Sequence, residues 1–201
     1  MIMTISYEVE DKLYLNITNE CPCDCVFCIR KNGEGAYGSD PLWLHHEPSF
    51  EEIIADLEKR DFSKYTQVVF CGYGEPTVRA DMLVKTAKWI KSRSDIPIRL
   101  NTNGLSSLIH GRDIIPELSE CIDIASISLN APTAKEYVDV TRPIYGEKAF
   151  DAMCDFAKRS HAAGIDTMFT VVDVIPKEQI EASKKLCEEL GVPLRIREFV
   201  E

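Results

Sequence analysis

The segment LYLNITNECPCDCVFC, residues 13–28, joins an apolar strand pattern directly to four closely spaced cysteines. Leu13, Leu15 and Ile17 alternate with polar side chains, and this period of two predicts a β-strand over Leu13–Thr18. Similar short apolar runs recur along the chain, with helical patterns between them. We therefore expect an α/β fold in which the cysteines occupy the loop after an early strand.

Strand and helix patterns alternate through the rest of the chain. Further strands are predicted at 67–71, 96–100, 122–129, 168–174 and 194–200, and residues 5–9 can form a small hairpin with the first strand. Helices are predicted at 49–60, 81–93, 149–163 and 177–190. Alternation of this kind implies a parallel sheet with right-handed crossovers. Six units are too few for a closed eight-stranded barrel, so we predict an open, partial (β/α)6 barrel of the TIM type; a flat doubly wound sheet is the alternative.

Composition limits the class of protein. The 201 residues are 45% hydrophobic and carry a net charge of −10, which suits a folded chain and disfavours a general nucleic-acid binder. No apolar run approaches the length of a membrane span, and residues 1–10 lack the basic and apolar blocks of a secretory signal. We expect a cytoplasmic protein with a single domain over residues 1–201, no membrane partner and no general nucleic-acid binding.

The two faces of the predicted strands differ in polarity. One face, which helices would cover, is apolar and carries Leu13, Leu15 and Ile17, Ile96, Ile98 and Leu100, and Leu194 and Ile196. The opposite face is polar on four of the six strands, whereas a closed barrel is filled with branched apolar side chains. It carries Asn16 and Thr18, Arg99, Asn101 and Asn103, Ser126, Ser128 and Asn130, and Arg195 and Arg197. We interpret this face as the wall of a substrate chamber; the alternative is a sheet side that faces solvent.

Cys21, Cys25 and Cys28 are spaced C-x3-C-x2-C. Three thiolates on one loop can bind three irons of a [4Fe–4S] cluster and leave the fourth iron open to a small molecule. Structural zinc prefers two separated C-x2-C pairs or cysteine plus histidine, and the second C-x2-C pair is absent here. Cys23 leaves an alternative open, because it could serve as a fourth ligand. The remaining cysteines lie singly, so we predict one cluster; they are Cys71, Cys121, Cys154 and Cys187.

Three further motifs follow predicted strands. Gly72-Tyr-Gly-Glu-Pro76 follows the strand at 67–71, and its glycines allow the backbone to approach a ligand closely. Asn101-Thr-Asn-Gly104 and Ser126-Ile-Ser-Leu-Asn130 occupy the equivalent positions on the next two strands. Each motif alone is typical of an ordinary turn. Together they lie at the carboxyl edge of the sheet, where barrel enzymes build their sites.

With these motifs, the chain resembles the radical S-adenosylmethionine (SAM) superfamily. The spacing of the three cysteines, with Phe27 before the last, matches its signature, and Gly72–Pro76 resembles its Gly-Gly-Glu-Pro motif with Tyr73 in place of the second glycine. The segments 15–25 and 70–76 are most similar to a short group known as TatD-linked radical SAM proteins. The resemblance covers essentially the whole chain, with a cluster loop at 19–30 and a long connection at 31–48.

The resemblance implies a role for each matching residue. Cys21, Cys25 and Cys28 would hold the cluster, and the amino and carboxylate groups of SAM would chelate the open iron. Phe27 would lie near the adenine. Gly74 and Glu75 would receive the methionine amino group, next to Gly72 of the same motif. Ribose or carboxylate contacts are implied for Asn103, Ser128 and Asn130. The glycine-containing motif usual on the fifth strand is not visible in residues 168–176.

The resemblance also implies a reaction. An electron from a low-potential donor, such as flavodoxin or ferredoxin, would cleave SAM to methionine and a 5′-deoxyadenosyl radical that takes hydrogen from a substrate. A small polar substrate fits the polar face, as in the 7-carboxy-7-deazaguanine synthase type. Two alternatives remain: an activase that makes a glycyl radical on a partner protein, and a non-catalytic iron–sulfur protein with Cys23 as fourth ligand.

Three features outside these motifs have two interpretations each. The connection at 31–48 is long for a compact domain, so it either binds substrate or partner or merely covers the surface. Cys71 is either a buried structural thiol or part of the site. Arg195 and Arg197 either face the chamber, where they can bind a carboxylate or phosphate, or lie exposed on an edge strand.

Overall fold

The computed structural model describes residues 3–198. Its seven strands form one sheet in chain order, and no pairing joins the last strand to the first within those residues. β1 is antiparallel to β2, and each later strand is parallel to its predecessor. The strands are β1 Ser6–Val9, β2 Lys12–Leu15, β3 Gln67–Phe70, β4 Ile98–Thr102, β5 Ile124–Ser128, β6 Asp166–Val172 and β7 Leu194–Arg197. The predicted open (β/α)6 barrel is confirmed, with the β1 hairpin as an extra edge strand.

Seven α-helices connect the parallel strands. They are α1 Phe50–Leu57, α2 Ala80–Lys91, α3 Ser106–His110, α4 Ile115–Ser119, α5 Ala134–Thr141, α6 Lys148–Ala162 and α7 Lys177–Leu190. Single 3-10 turns lie at Ile29–Lys31, Phe62–Lys64 and Pro76–Arg79. Among the residues described, no helix is long and apolar enough to span a membrane.

Local signals explain where the predicted helices begin and end. Ser49 and Glu52 form the expected capping box at the start of α1, each side chain accepting a hydrogen bond from the backbone of the other. Gly191 ends α7 with a φ of 69°, a left-handed conformation that glycine adopts without a Cβ clash.

Several predicted boundaries are wrong. β4 begins two residues later than expected and continues to Thr102, and β5 begins at Ile124. The predicted last strand extends to residue 200, of which 199–200 lie outside the described residues. Helices α3, α4 and α5 were not predicted, because two of them are only five residues long and show little amphipathic periodicity. The start of α5 does have a capping residue that the sequence shows, because Thr133 accepts a hydrogen bond from the backbone N–H of Glu136.

The main core lies between the sheet and the helices. The predicted apolar face is confirmed on β2 and β4, where Leu13, Leu15, Ile98 and Leu100 are fully buried in one cluster with residues of α2 and α6. On β7 the expectation fails, because this strand is an edge. Ile196 is 44% exposed there.

We predict that Ile98→Ala lowers the free energy of unfolding by about 2–5 kcal/mol, since it leaves a cavity in a closed core. The same change at Ile144, which is 76% exposed, is the matched control and should cost less than about 0.5 kcal/mol. Thermal unfolding followed by circular dichroism measures both. Equal losses at the two positions would contradict the packing described here.

Candidate active site

A cavity of about 240 Å³ opens at the carboxyl ends of the strands. Its wall combines the loop after β2, the connection at 31–48, the ends of β3, β4, β5 and β7, and one side of α5. All ten residues predicted to bind metal or cofactor line this one cavity: Cys21, Cys25, Phe27, Cys28, Gly72, Gly74, Glu75, Asn103, Ser128 and Asn130. The structure thus brings together side chains separated by more than a hundred positions in sequence.

The cluster loop at 19–30 is held in place by backbone hydrogen bonds to the last turn of α5 and to the segment that follows it. The N–H groups of Asp24 and Val26 donate to the carbonyls of Thr141 and Val140 at 3.1 and 2.9 Å, and the N–H of Ile144 donates to Pro22 at 2.9 Å. The backbone of this loop is therefore held by hydrogen bonds to a neighbouring segment, as the backbone of a strand is held by its partner strand. This fixes the position of its cysteines before any ligand binds.

The four cysteines of this loop are free thiols that face the cavity. Within residues 3–198, no three Cys, His, Asp or Glu side chains converge as the ligands of one metal ion would. In a [4Fe–4S] cluster, by contrast, each thiolate coordinates a different iron atom. Thiolates are soft ligands, which is the type that iron–sulfur clusters prefer. The donor set at Cys21, Cys25 and Cys28 therefore fits the cluster that the spacing predicts.

Cys23 differs from its neighbours in burial and in bonding. It is buried, whereas the other three thiols of the loop are partly exposed. A hydrogen bond from Cys23 lowers the pKa of Cys21, and the same bond, with burial, raises the pKa of Cys23. Burial raises the pKa of Cys25 to about 12. The Cys23 thiol therefore keeps its proton more readily than the Cys21 thiol does.

Two glycines allow the loop after β3 to pack against the cluster loop. A Cβ atom on Gly74 would lie 2.3 Å from the carbonyl oxygen of Thr18 and 2.7 Å from that of Glu20, both of them backbone atoms. A Cβ atom on Gly72 would lie 2.1 Å from the side-chain oxygen of Asn16. Only glycine fits at either position without displacing its neighbour.

Tyr73, which stands where the resembling motif has glycine, turns its side chain toward the connection at 31–48. Its ring packs edge-on against Trp43 with centroids 5.0 Å apart, and its hydroxyl donates to the carbonyl of Gly33 at 2.8 Å. The connection in turn contributes Tyr37 and Leu42 to the cavity wall. The connection therefore covers the surface and also lines the cavity, and its role in binding a substrate or partner stays a prediction.

The prediction that Asn16 and Thr18 face a substrate chamber is wrong. Asn16 and Thr18 are buried beneath the connection instead of facing an open chamber. The Asn16 amide donates to the carbonyl of Leu42 at 2.7 Å, and the Thr18 hydroxyl donates to Glu47 at 2.6 Å. Their polarity anchors the connection, because buried polar groups need partners.

Glu75 is the most extensively hydrogen-bonded side chain of the site. Oε1 accepts from the Thr77 N–H, the Thr77 hydroxyl and the Thr102 hydroxyl at 3.0, 2.6 and 2.7 Å, and Oε2 accepts from the Asn103 N–H at 2.8 Å. Burial raises the pKa of Glu75, while these donors oppose the rise. The carboxylate therefore joins the ends of β3 and β4, and its predicted contact with an amino group would use the less occupied Oε2.

The polar residues after β4 and β5 face the cysteines across the cavity. The Asn103 amide nitrogen lies 4.0 Å from the sulfur of Cys21 and 3.8 Å from that of Cys23. Asn130 has a φ of 60°, a left-handed conformation that asparagine tolerates better than most residues. Ser128 and Asn130 both reach the cavity wall from the end of β5.

The structure adds wall residues that the sequence analysis did not identify. Tyr137 and Thr141 line the cavity from α5, and Tyr7 and Val172 line it from the sheet. Asn101, which was predicted on the chamber face, lines it as well. The hydroxyl of Tyr137 and the side-chain oxygen of Asn101 are buried and have no hydrogen-bond partner. Unpaired polar atoms in a cavity wall are where a bound ligand gains hydrogen bonds.

Comparison with known proteins identifies the family. The model of the radical SAM superfamily matches residues 15–190, most of the chain. The chain belongs to the radical SAM superfamily. Members of this superfamily use a [4Fe–4S] cluster and SAM, and they include enzymes, so the predicted family and cofactors are confirmed. The finer resemblance to the TatD-linked group stays a prediction.

Two curated relatives are similar over much of this radical SAM chain. Glutamate 2,3-aminomutase of Clostridioides difficile is 27% identical over 190 residues, covering 94% of this chain and 35% of that protein. GTP 3′,8-cyclase of Lactiplantibacillus plantarum is 29% identical over 140 residues, covering 68% of this chain and 39% of that protein. The chain thus spans less than half the length of either relative.

Among solved structures, SuiB of Streptococcus suis bound to S-adenosylmethionine superposes with a TM-score of 0.70 at 18% identity. The match covers 95% of this chain and 41% of SuiB. At this identity the likeness shows the fold of the radical SAM core.

We predict that Gly74→Ala prevents stable cluster assembly. The added methyl group meets two backbone carbonyls, and such overpacking costs about 1–3 kcal/mol unless the cluster loop moves away. Gly33→Ala is the matched control, because the nearest atom to its added Cβ lies 4.0 Å away. Iron content after anaerobic reconstitution measures the effect. Wild-type iron content in the Gly74 variant would contradict this account.

We predict that Glu75→Gln lowers the free energy of unfolding by about 1–3 kcal/mol. The glutamine side chain has an NH2 group in place of one carboxylate oxygen, and this group faces the hydroxyl and N–H donors of the network. At least one buried hydrogen bond is therefore lost. Glu34→Gln, at an exposed position, is the control. Thermal unfolding compares the two variants, and an unchanged midpoint for Glu75→Gln would exclude the anchoring role.

Proposed function

We propose that this protein is a radical SAM enzyme that uses a single [4Fe–4S] cluster to cleave SAM and acts on a small polar substrate. The observation that carries the proposal is the convergence of three thiols, the Gly-Tyr-Gly-Glu-Pro loop and polar residues from two further strand ends on one cavity. Because the chain spans only part of its curated relatives, its reaction is inferred from its own residues and not from theirs.

The proposal assigns the binding of both cofactors to residues of the cavity wall. Cys21, Cys25 and Cys28 hold the cluster, and the neighbouring Gly72–Glu75 loop forms the wall next to it. Phe27 packs against the adenine. Asn103, Ser128 and Asn130 supply hydrogen bonds to the ribose or carboxylate of SAM.

When bound, the cluster and SAM supply the radical chemistry: one electron cleaves SAM to methionine and a 5′-deoxyadenosyl radical, which takes a hydrogen atom from the substrate. The chain itself positions these groups and limits access of water and oxygen. Tyr73 and Asn16 serve this second purpose, since they hold the connection at 31–48 against the cavity. No side chain is assigned as a general acid or base.

One cluster suffices for the proposal. Cys121 and Cys187 are buried in the hydrophobic core, and Cys154 packs against it from α6. None of these three thiols lines the cavity within the described residues. The electron would come from a separate low-potential protein such as flavodoxin or ferredoxin.

A protein substrate, as for a glycyl-radical activase, is the second candidate. Three large hydrophobic side chains are exposed on the cluster loop and the connection: Val26, Tyr37 and Trp43, each 42–46% exposed. Exposed apolar groups of this size are typical of contact surfaces. The polar side chains at the strand ends, Asn101, Asn103, Ser128 and Asn130, favour the small polar substrate. Substitution of Cys23 tests the fully ligated, non-catalytic alternative.

The test is anaerobic reconstitution, reduction with dithionite, and quantification of 5′-deoxyadenosine after addition of SAM. We expect about four irons per chain and SAM-dependent product in the wild type. Cys25→Ala should abolish both, whereas Cys187→Ala, a core thiol, should retain them. A wild-type cluster that is reduced yet forms no 5′-deoxyadenosine would contradict the proposal.

Cys23→Ala separates catalysis from simple electron transfer. If Cys23 only donates a hydrogen bond to Cys21, the variant keeps its cluster and still cleaves SAM. Loss of the cluster in this variant, together with no response to SAM in the wild type, would instead identify a fully ligated iron–sulfur protein.

A further inference from the structure

The β7 side of the cavity carries a positive charge, in contrast to the acidic chain as a whole. Arg197, at the end of β7, lines the cavity together with Val172, its partner in the sheet. Arg99 lies on β4 two residues before Asn101, which also lines the cavity, so both side chains are on the same face of that strand. Among the described residues that line the cavity, Glu75 is the only carboxylate, and its oxygens already accept four hydrogen bonds.

Neither arginine has a carboxylate partner. Across residues 3–198 the ion pairs include neither Arg99 nor Arg197. Arg99 donates one hydrogen bond, to the hydroxyl of Tyr14 at 3.3 Å, and its Nε is buried without a partner. The partly buried guanidinium of Arg99 is costly without a counter-charge, which an anion in the cavity would supply. Arg197 is exposed and lines the cavity, so its guanidinium is accessible to the same anion.

The two arginines act on the same part of the wall although they come from distant strands. Burial raises the pKa of the Cys71 thiol, and the charges of Arg197 and Arg99 both oppose that rise. The pKa of Tyr14 is likewise raised by burial and lowered by both arginines. The geometry agrees, because Arg99 reaches the Tyr14 hydroxyl, and Cys71, Asn101 and Arg197 line the same cavity.

We propose that this part of the cavity, formed by Arg197 with Asn101 and Arg99 beside it, binds an anionic group of the substrate, a carboxylate or a phosphate. The proposal deepens the proposed function and rests on it, since it names the substrate class of the same site. Guanidinium groups suit such anions because their planar N–H donors match paired oxygens. It also separates the two interpretations of the arginine pair: Arg197 lines the cavity, and Arg195 does not.

The test uses the reconstituted protein saturated with SAM, so that the open iron is covered and does not bind the probe. Inorganic phosphate and malonate are titrated by calorimetry at constant ionic strength. We expect at least one of them to bind at a single site, and Arg197→Gln to weaken that binding about 10- to 100-fold. Arg195→Gln, on the same strand and exposed, is the matched control and should change it less than about twofold. The preferred probe identifies the class of anion.

Three results would overturn the proposal. The first is that neither probe binds. The second is that both arginine variants weaken binding equally, which would indicate an effect of general surface charge. The third is that Arg197→Gln weakens the binding of SAM more than that of the probe, which would assign the arginine to the SAM carboxylate. Failure of the proposed radical function can be distinguished from failure of this proposal. In that case no 5′-deoxyadenosine forms, while anion binding persists. Arg197 is exposed at an edge strand, so its substitution leaves the core intact, and circular dichroism verifies this.

Discussion

The Glu75 carboxylate accepts hydrogen bonds from the 3-10 turn at Pro76–Arg79 and from the end of β4, and the rest of the site depends on this arrangement. Its Oε2 fixes the backbone of Asn103, whose amide faces the cysteine sulfurs, and its own N–H donates to the carbonyl of Glu20 at 2.8 Å. One residue thus joins the cluster loop, the loop after β3 and the end of β4. A buried carboxylate is costly, but four donors offset that cost and make the geometry specific.

The departure from the Gly-Gly-Glu-Pro pattern at Tyr73 has a structural reason. The flanking Gly72 and Gly74 keep the close approaches to Asn16 and to the cluster loop. Tyr73 points the other way and packs under the connection at 31–48, which covers the polar end of β2. The substitution therefore leaves the ligand-facing backbone unchanged while it attaches a wall of the cavity. This explains how a core with few added elements still encloses a site.

The order of strands and the grouping of motifs were predictable, because period-two patterns and strand-end motifs are local signals. The same holds for Ser49 and Gly191, which mark the ends of helices. Tertiary contacts decided what was not predicted. The burial of Asn16 depends on a connection whose path no local pattern specifies, and Tyr137 reaches the cavity because α5 packs against the cluster loop, a contact between distant segments. Arg197 differs from Arg195 only in its height along the strand relative to the cavity.

The central claim is that three thiolates hold a cluster with one iron open to SAM. Electron paramagnetic resonance of the reduced cluster, recorded with and without SAM, tests it most directly, because a ligand on the open iron changes the electronic environment of the cluster. The account predicts a changed spectrum on addition of SAM in the wild type and also in Cys23→Ala. A spectrum that does not respond to SAM in the wild type would show that all four irons already have protein ligands and would contradict the account.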